Sequence, residues 1–245
     1  MTKHGDYVSE LGQISEKIAF LRRHSGLPGP RGDLELVQAA ADVGRESEFR
    51  DWIAAGSGDQ PTDEFLVVCG VVGLGRLVSE GRVEVVEELR AHASDRRWRV
   101  REGVAMALQR VGDADVSRLL DIVAGWVDDR PYVQRAAVAA VAEPRLLKTG
   151  EAASMAVEIV DRVTANLEAA GDRRSDEGRT LRQALGYCWS VVVAADPEHG
   201  KPRMEYWATS SDADVRWVVK ENVKKARLLR LDPGWVEALR RSVSG

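Results

Sequence analysis

The 245 residues predict an all-α fold, arranged as a right-handed α-solenoid of helical repeats. Three observations carry that prediction. Apolar residues recur in steps of three and four along almost the whole chain, the period of a helix with one buried face. Alternating apolar and polar runs joined by hairpin turns, the mark of strands, do not occur. An apolar-rich segment also recurs, with starts at residues 66, 100, 133, 181 and 215. Three of the four gaps are 33 or 34 residues, room for two helices and two short turns. A period of that size belongs to helix pairs that bury their faces against the next pair.

Taken in order, Val8, Leu11, Ile14, Ile18 and Leu21 fall on one face of a first helix. Ser25-Gly26-Leu27-Pro28-Gly29-Pro30-Arg31-Gly32 cannot continue it, because proline lacks the N–H and glycine costs order. A short helix follows from Asp33, then another through Phe49, Trp52 and Ile53, and Gly56 to Pro61 breaks the chain again. Thr62-Asp63-Glu64 offers an N-cap and first-turn acids ahead of the apolar run Phe65–Gly75. Helical spacing continues through Val83–Leu89, Val100–Val111, Val116–Trp126, Val133–Val141 and Met155–Leu167. The long gap in the repeat holds that last helix and the polar loop Gly171–Gly178. Residues 1–61 are expected to form a helical cap, continuous with a repeat region at 62–245.

The copies themselves point to a family. Asp95-Arg96-Arg97-Trp98-Arg99-Val100-Arg101-Glu102 and Asp212-Ala213-Asp214-Val215-Arg216-Trp217 both resemble the start of the second helix of a HEAT repeat. The shared pattern is an acidic turn, then Val-Arg, then small and aliphatic residues. Asp128-Asp129-Arg130-Pro131-Tyr132-Val133-Gln134 follows it with Gln134 in place of the arginine. The resemblance implies a solenoid whose second helices line a concave, partner-binding face. It also implies that Arg101 and Arg216 are structural. Asp95 or Asp128 would pair with the first, and Asp212 or Asp214 with the second.

Composition removes several function classes. The apolar share of 44% suits a packed soluble domain, and Phe65–Gly75 is too short to span a bilayer as a helix, so no membrane partner is expected. MTKHGDYVSE lacks a secretory pattern, and Cys69 and Cys188, both in apolar stretches, read as free thiols of a reducing cytoplasm. His4, His24, His92 and His199 are scattered without metal-ligand spacing, so no metal or other cofactor is expected. Gly70-x-x-Gly73-x-Gly75 lies within a helical pattern and reads as a close helix approach, not a dinucleotide loop. Phosphate-loop and nucleophile-elbow motifs are absent, and no catalytic residue is assigned.

Charge is unevenly placed. Residues 215–245 hold eight basic and three acidic residues, while the preceding 214 carry a net −9. Within that end, Arg216, Lys220, Lys224 and Arg227 form a strip about 80° wide on one continuing helix, beside an apolar arc of Val215, Val218, Val219, Val223 and Ala226. Trp217 borders the strip, and Tyr206 and Trp207 precede it. Cations with aromatics suit phosphate backbones and stacked bases, or an acidic protein surface.

Residues Arg216–Val236, ending Leu231-Asp232-Pro233-Gly234-Trp235-Val236, also resemble the last repeat of the HEAT-like alkylpurine DNA glycosylases. By that distant resemblance Trp98 and Glu102 would stand for the family's cleft tryptophan and aspartate, and Arg135 for its cleft arginine. Here the carboxylate is one carbon longer, and Glu221 occupies the place of a second cleft tryptophan. The expectation is therefore a non-enzymatic HEAT-repeat module that binds a macromolecular partner, a protein first, through Trp98, Glu102, Arg135, Arg216, Trp217, Lys220, Lys224 and Arg227. A nucleic-acid binder or glycosylase relative is the alternative.

Overall fold

The computed structural model describes residues 2–171 and 174–244, and every regular element among them is helical. They gather into two compact units, Met1–Ala114 and Asp115–Gly245. Asp172 and Arg173, within the polar loop expected at Gly171–Gly178, lie outside the described residues.

The first unit holds α1 (Lys3–Gln13), α2 (Lys17–His24), α3 (Leu34–Val43), α4 (Glu46–Ala55), α5 (Pro61–Ser79), a 3₁₀ turn at Val83–Val85, α6 (Val86–His92) and α7 (Trp98–Ala114). Its centre is α5, against which α2, α3, α4, α6 and α7 all pack. From Asp63 to Val78 every residue of α5 except Arg76 is buried. A helix apolar on all sides belongs inside a domain, and this is the one the run of Val, Leu and Gly produces. Gly70 and Gly73 let α4 approach, with Phe49 so near that a Cβ would overlap its carbonyl or its ring. Gly75 does the same for the Ala107 backbone of α7.

Three local expectations change. The continuous first helix is two helices, because Ile14 turns extended and its N–H donates to the Glu10 carbonyl, closing α1. The break lets α1 lie on α3 and α2 lie on α5, each burying a leucine, Leu11 and Leu21. The cap of α5 is Gln60, not Thr62: Pro61 supplies the pre-set φ of the first turn, and the Asp63 carboxylate accepts from the Gln60 N–H at 3.3 Å. The loop after α2 is drawn closed by its own backbone. Gly29 N–H donates to Gly26 O, Asp33 N–H donates to Ser25 O, and Gly26 takes φ +74°, a conformation glycine adopts at little cost.

The second unit holds α8 (Val116–Ala124), α9 (Pro131–Val141), a 3₁₀ turn at Pro144–Leu146, α10 (Gly150–Ala169), α11 (Asp176–Ala195), α12 (Pro197–Ala208), α13 (Ala213–Asn222), α14 (Ala226–Leu231) and α15 (Pro233–Ser244). α11 packs between α9 and α13, and α10 packs against both α8 and α12. Its interior is not wholly apolar. Asn222, fully buried on α13, accepts from the Ser190 N–H at 2.8 Å and donates to the carbonyls of Leu185 and Val218, each at 2.8 Å. Trp189 donates to Thr164 at 2.9 Å within the same core. Such groups are tolerated in an interior because they are hydrogen-bonded.

All five recurring segments fall in helices: α5, α7, α9, α11 and α13. The Val-Arg position has a visible role in two of them. Arg101 donates to the Asp95 carbonyl at 2.7 Å, and Gln134, its counterpart, donates to the Val127 carbonyl at 2.8 Å. Each ties the start of its helix to the turn before it. The Asp95 carboxylate goes elsewhere, to Arg97 at 2.9 Å. The counterpart Arg216 has neither expected partner among the described residues: Asp212 caps α13 by accepting from Asp214 N–H and Val215 N–H, and the Asp214 carboxylate meets Arg182 at 2.5 Å.

Candidate functional site

The first unit contains a cleft of about 470 Å³ between the Pro30–Gly32 loop, α3, α5 and the start of α7. Val37, Phe65, Val68 and Met106 form its apolar walls, and Trp98, Leu34, Arg31 and Glu102 stand around it. Trp98 is 54% exposed and Leu34 59%, large values for apolar side chains that face the same hollow. Trp98 and Glu102 are thus brought together as their four-residue spacing implies. The loop that the sequence shows only as a helix break forms part of the same wall.

Trp98 is held from beneath. The Glu64 carboxylate of α5 accepts from the Arg99 N–H at 3.1 Å and from the Arg99 guanidinium at 2.9 Å, and that guanidinium lies 4.5 Å from the Trp98 ring centroid. Glu64 therefore satisfies a first-turn N–H of α7 and fixes the cation against the ring. Sequence reasoning placed Glu64 only as a first-turn acid of its own helix. Its partner lies 35 residues away, and nothing local announces it.

One turn earlier, Asp95 fixes the approach to α7. Burial works to raise its carboxyl, but hydrogen bonds from the Arg97 side chain and backbone N–H outweigh it and hold the group below the usual carboxylate range. A depressed folded-state value stabilises the fold above the unfolded value and loses that stabilisation as pH falls through the folded one. The melting temperature is expected to drop on acidification from about pH 5 to about pH 2, and Asp95→Asn to flatten part of that slope. Equal slopes for the two proteins would remove Asp95 from the acid response.

The other sequence-derived candidates belong to the second unit, and here the single basic strip is corrected. α13 ends at Asn222, where the chain turns through Val223–Lys225 and restarts at Ala226. Arg216 and Lys220 therefore sit on α13, Lys224 on the turn and Arg227 on α14. The turn is fixed because Asn222 is anchored into α11 while Leu228 of α14 is itself fully buried. Val215, Val218, Val219 and Val223 are buried as the apolar arc requires, but Ala226 is exposed. Trp207 is also withdrawn from any surface role, being buried and donating to Asp161 at 2.7 Å, while Tyr206 stays exposed.

Trp217 is half-buried against Gly186 of α11 and under the Arg182 guanidinium, 4.5 Å from its ring centroid. It lines a shallow depression of about 510 Å³ with Lys220, Glu221, Lys224 and Arg240. Lys224 pairs with Glu221 at 2.5 Å. The same unit exposes a residue the sequence did not single out. Tyr187 of α11 is 45% exposed, its hydroxyl accepts from Arg227 at 2.7 Å, and Arg227 and Lys225 lie 4.9 and 5.7 Å from its ring centroid. Its sequence signal was faint, one tyrosine beside Gly186 in the copy that starts at residue 181.

Arg135 of α9 reaches the same part of the unit. Burial pushes the Cys188 thiol up to about 12, opposed by the charges of Arg135 and Arg227. Both cysteines are free and buried, and burial also raises the Cys69 thiol. Among the described residues, no group of three or more His, Cys, Asp or Glu could hold a metal ion, and no helix is long and apolar enough to cross a membrane. No family model matches the chain, and no curated protein matches it either.

Proposed function

We propose that the chain is a HEAT-like repeat module without enzymatic activity that binds a protein partner. An apolar side chain of that partner would seat between Trp98 and Leu34. The observation that carries this reading is the unit-one cleft, where two large apolar side chains stay in water over walls of Val37, Phe65, Val68 and Met106. Solvated apolar groups around a concave site release free energy when a partner covers them, and a rigid tryptophan is a frequent anchor. The recurring helix starts at α5, α7, α9, α11 and α13 support the HEAT resemblance, and a right-handed solenoid is the arrangement it entails. Two buried free thiols suit a reducing cytoplasm.

The test begins with affinity capture by wild-type protein and by Trp98→Ala, with each captured protein then purified and titrated by calorimetry. A partner of this cleft is expected to bind Trp98→Ala at least about tenfold more weakly. Purified partners that bind both forms equally would reject the cleft as their site. Glycosylase chemistry is the competing reading, favoured by the Trp98–Glu102 pairing at one cleft. Base release from alkylated DNA by the wild-type protein, abolished in Glu102→Gln, would replace the non-enzymatic reading.

A further inference from the structure

The acidic body of this protein uses its cations sparingly. In the second unit Arg162 meets Asp128 at 2.9 Å, Arg182 meets Asp214 at 2.5 Å and Lys201 meets Asp232 at 2.6 Å. Around Tyr187 that habit fails. Among the described residues, Lys225 and Arg227 have no carboxylate partner and face the Tyr187 ring instead. Gathering unpaired like charges on one face costs free energy unless an anion neutralises them.

We infer that the surface formed by Tyr187, Lys225 and Arg227 binds single-stranded nucleic acid, with one base stacked on Tyr187 and neighbouring phosphates on the cations. This surface is independent of the cleft around Trp98, and the inference stands whether or not a protein partner occupies that cleft.

Two features choose this occupant over other polyanions. An acidic peptide would use the cations but gains nothing from a tyrosine ring held open to water, whereas every unstacked base has a face to place on it. In a duplex those faces are already stacked inside the helix, leaving the ring without a partner. Tyr187 remains 45% exposed although two cations lie over its ring, so a base has surface to cover. The Arg227 guanidinium is held beside the ring through the tyrosine hydroxyl and keeps its charge there.

The experiment is fluorescence anisotropy of a labelled mixed-sequence 12-nucleotide DNA strand titrated with the full chain at two salt concentrations. A duplex of the same sequence and labelled polyglutamate serve as comparison probes. Binding to the strand is expected to weaken with salt. Tyr187→Ala should lower affinity about tenfold while Tyr187→Phe stays within about twofold of wild type. Lys225→Ala with Arg227→Ala should reduce the slope of log K against log salt by about 1.4, two phosphates' worth. These side chains are at least partly exposed, and unchanged melting temperatures would show that the variants fold. No binding at low salt overturns the inference. So does equal affinity for duplex or for polyglutamate, or a Tyr187→Ala protein that binds as wild type does.

Discussion

Replacing Asn222 by leucine is expected to lower the unfolding free energy by about 3 kcal/mol, although the two side chains are close in size. Leucine is apolar and fits a core, so composition alone would call the change mild. The geometry says otherwise. Asn222 accepts from the Ser190 N–H and donates to the Leu185 and Val218 carbonyls at full burial, using one oxygen and both amide hydrogens. Leucine replaces none of these, and no water reaches the site to stand in at a surface exposure of 0%. Because Ser190 also holds the Tyr187 carbonyl, at 2.7 Å from its hydroxyl, the same change should disturb the surface around Tyr187. Urea unfolding followed by circular dichroism measures the effect. A loss below about 1 kcal/mol would mean that the α11–α13 contact is held by its valines alone.

Gly75→Ala is the second large effect, and its sign opposes helix propensity. Alanine is worth about 1 kcal/mol more than glycine inside a helix, so an isolated α5 would gain. In the fold, a Cβ at Gly75 would overlap the Ala107 carbonyl oxygen and lie 2.6 Å from its Cα. Those are backbone atoms of α7 and cannot rotate away. The two helices must part, and overpacking of this kind costs about 1–3 kcal/mol beyond the propensity gain it cancels. Separating α5 from α7 also opens the cleft whose walls they supply, so Gly75→Ala should weaken any ligand of Trp98 as well. Gly12→Ala is the matched control: its Cβ meets nothing within 4 Å, and it should stabilise by up to about 1 kcal/mol. If the two variants melt at the same temperature, the α5–α7 spacing has more slack than the backbone positions imply.

These two sites show how differently the sequence speaks. Gly75 was legible, because a Gly-x-x-Gly-x-Gly pattern inside an apolar helical run leaves few uses for the missing side chains other than close packing. Asn222 was not, because an asparagine near a helix end also reads as a solvated cap, and its two partners on α11 lie 32 and 37 residues away. Glu64 and Tyr187 were hidden for the same reason. Helix breaks failed in another way: Ile14 and Val223 carry no local stop signal such as Gly or Pro, and what ends their helices is the packing of the next segment.

By itself the sequence determined the helical class, the recurrence of the α5, α7, α9, α11 and α13 starts, and the pairing of Trp98 with Glu102. Periodicity and four-residue spacing are local properties of a helix, fixed within one or two turns. The tertiary structure alone decided that the Gly26–Gly32 loop walls the Trp98 cleft, that Glu64 anchors Arg99 beneath it, and that Tyr187 gathers Lys225 and Arg227. Each of those depends on which helix face meets which neighbour. Many pairings bury similar apolar area, so hydrophobic pattern cannot choose among them; the choice falls to backbone approach distances and to buried polar groups that must find partners.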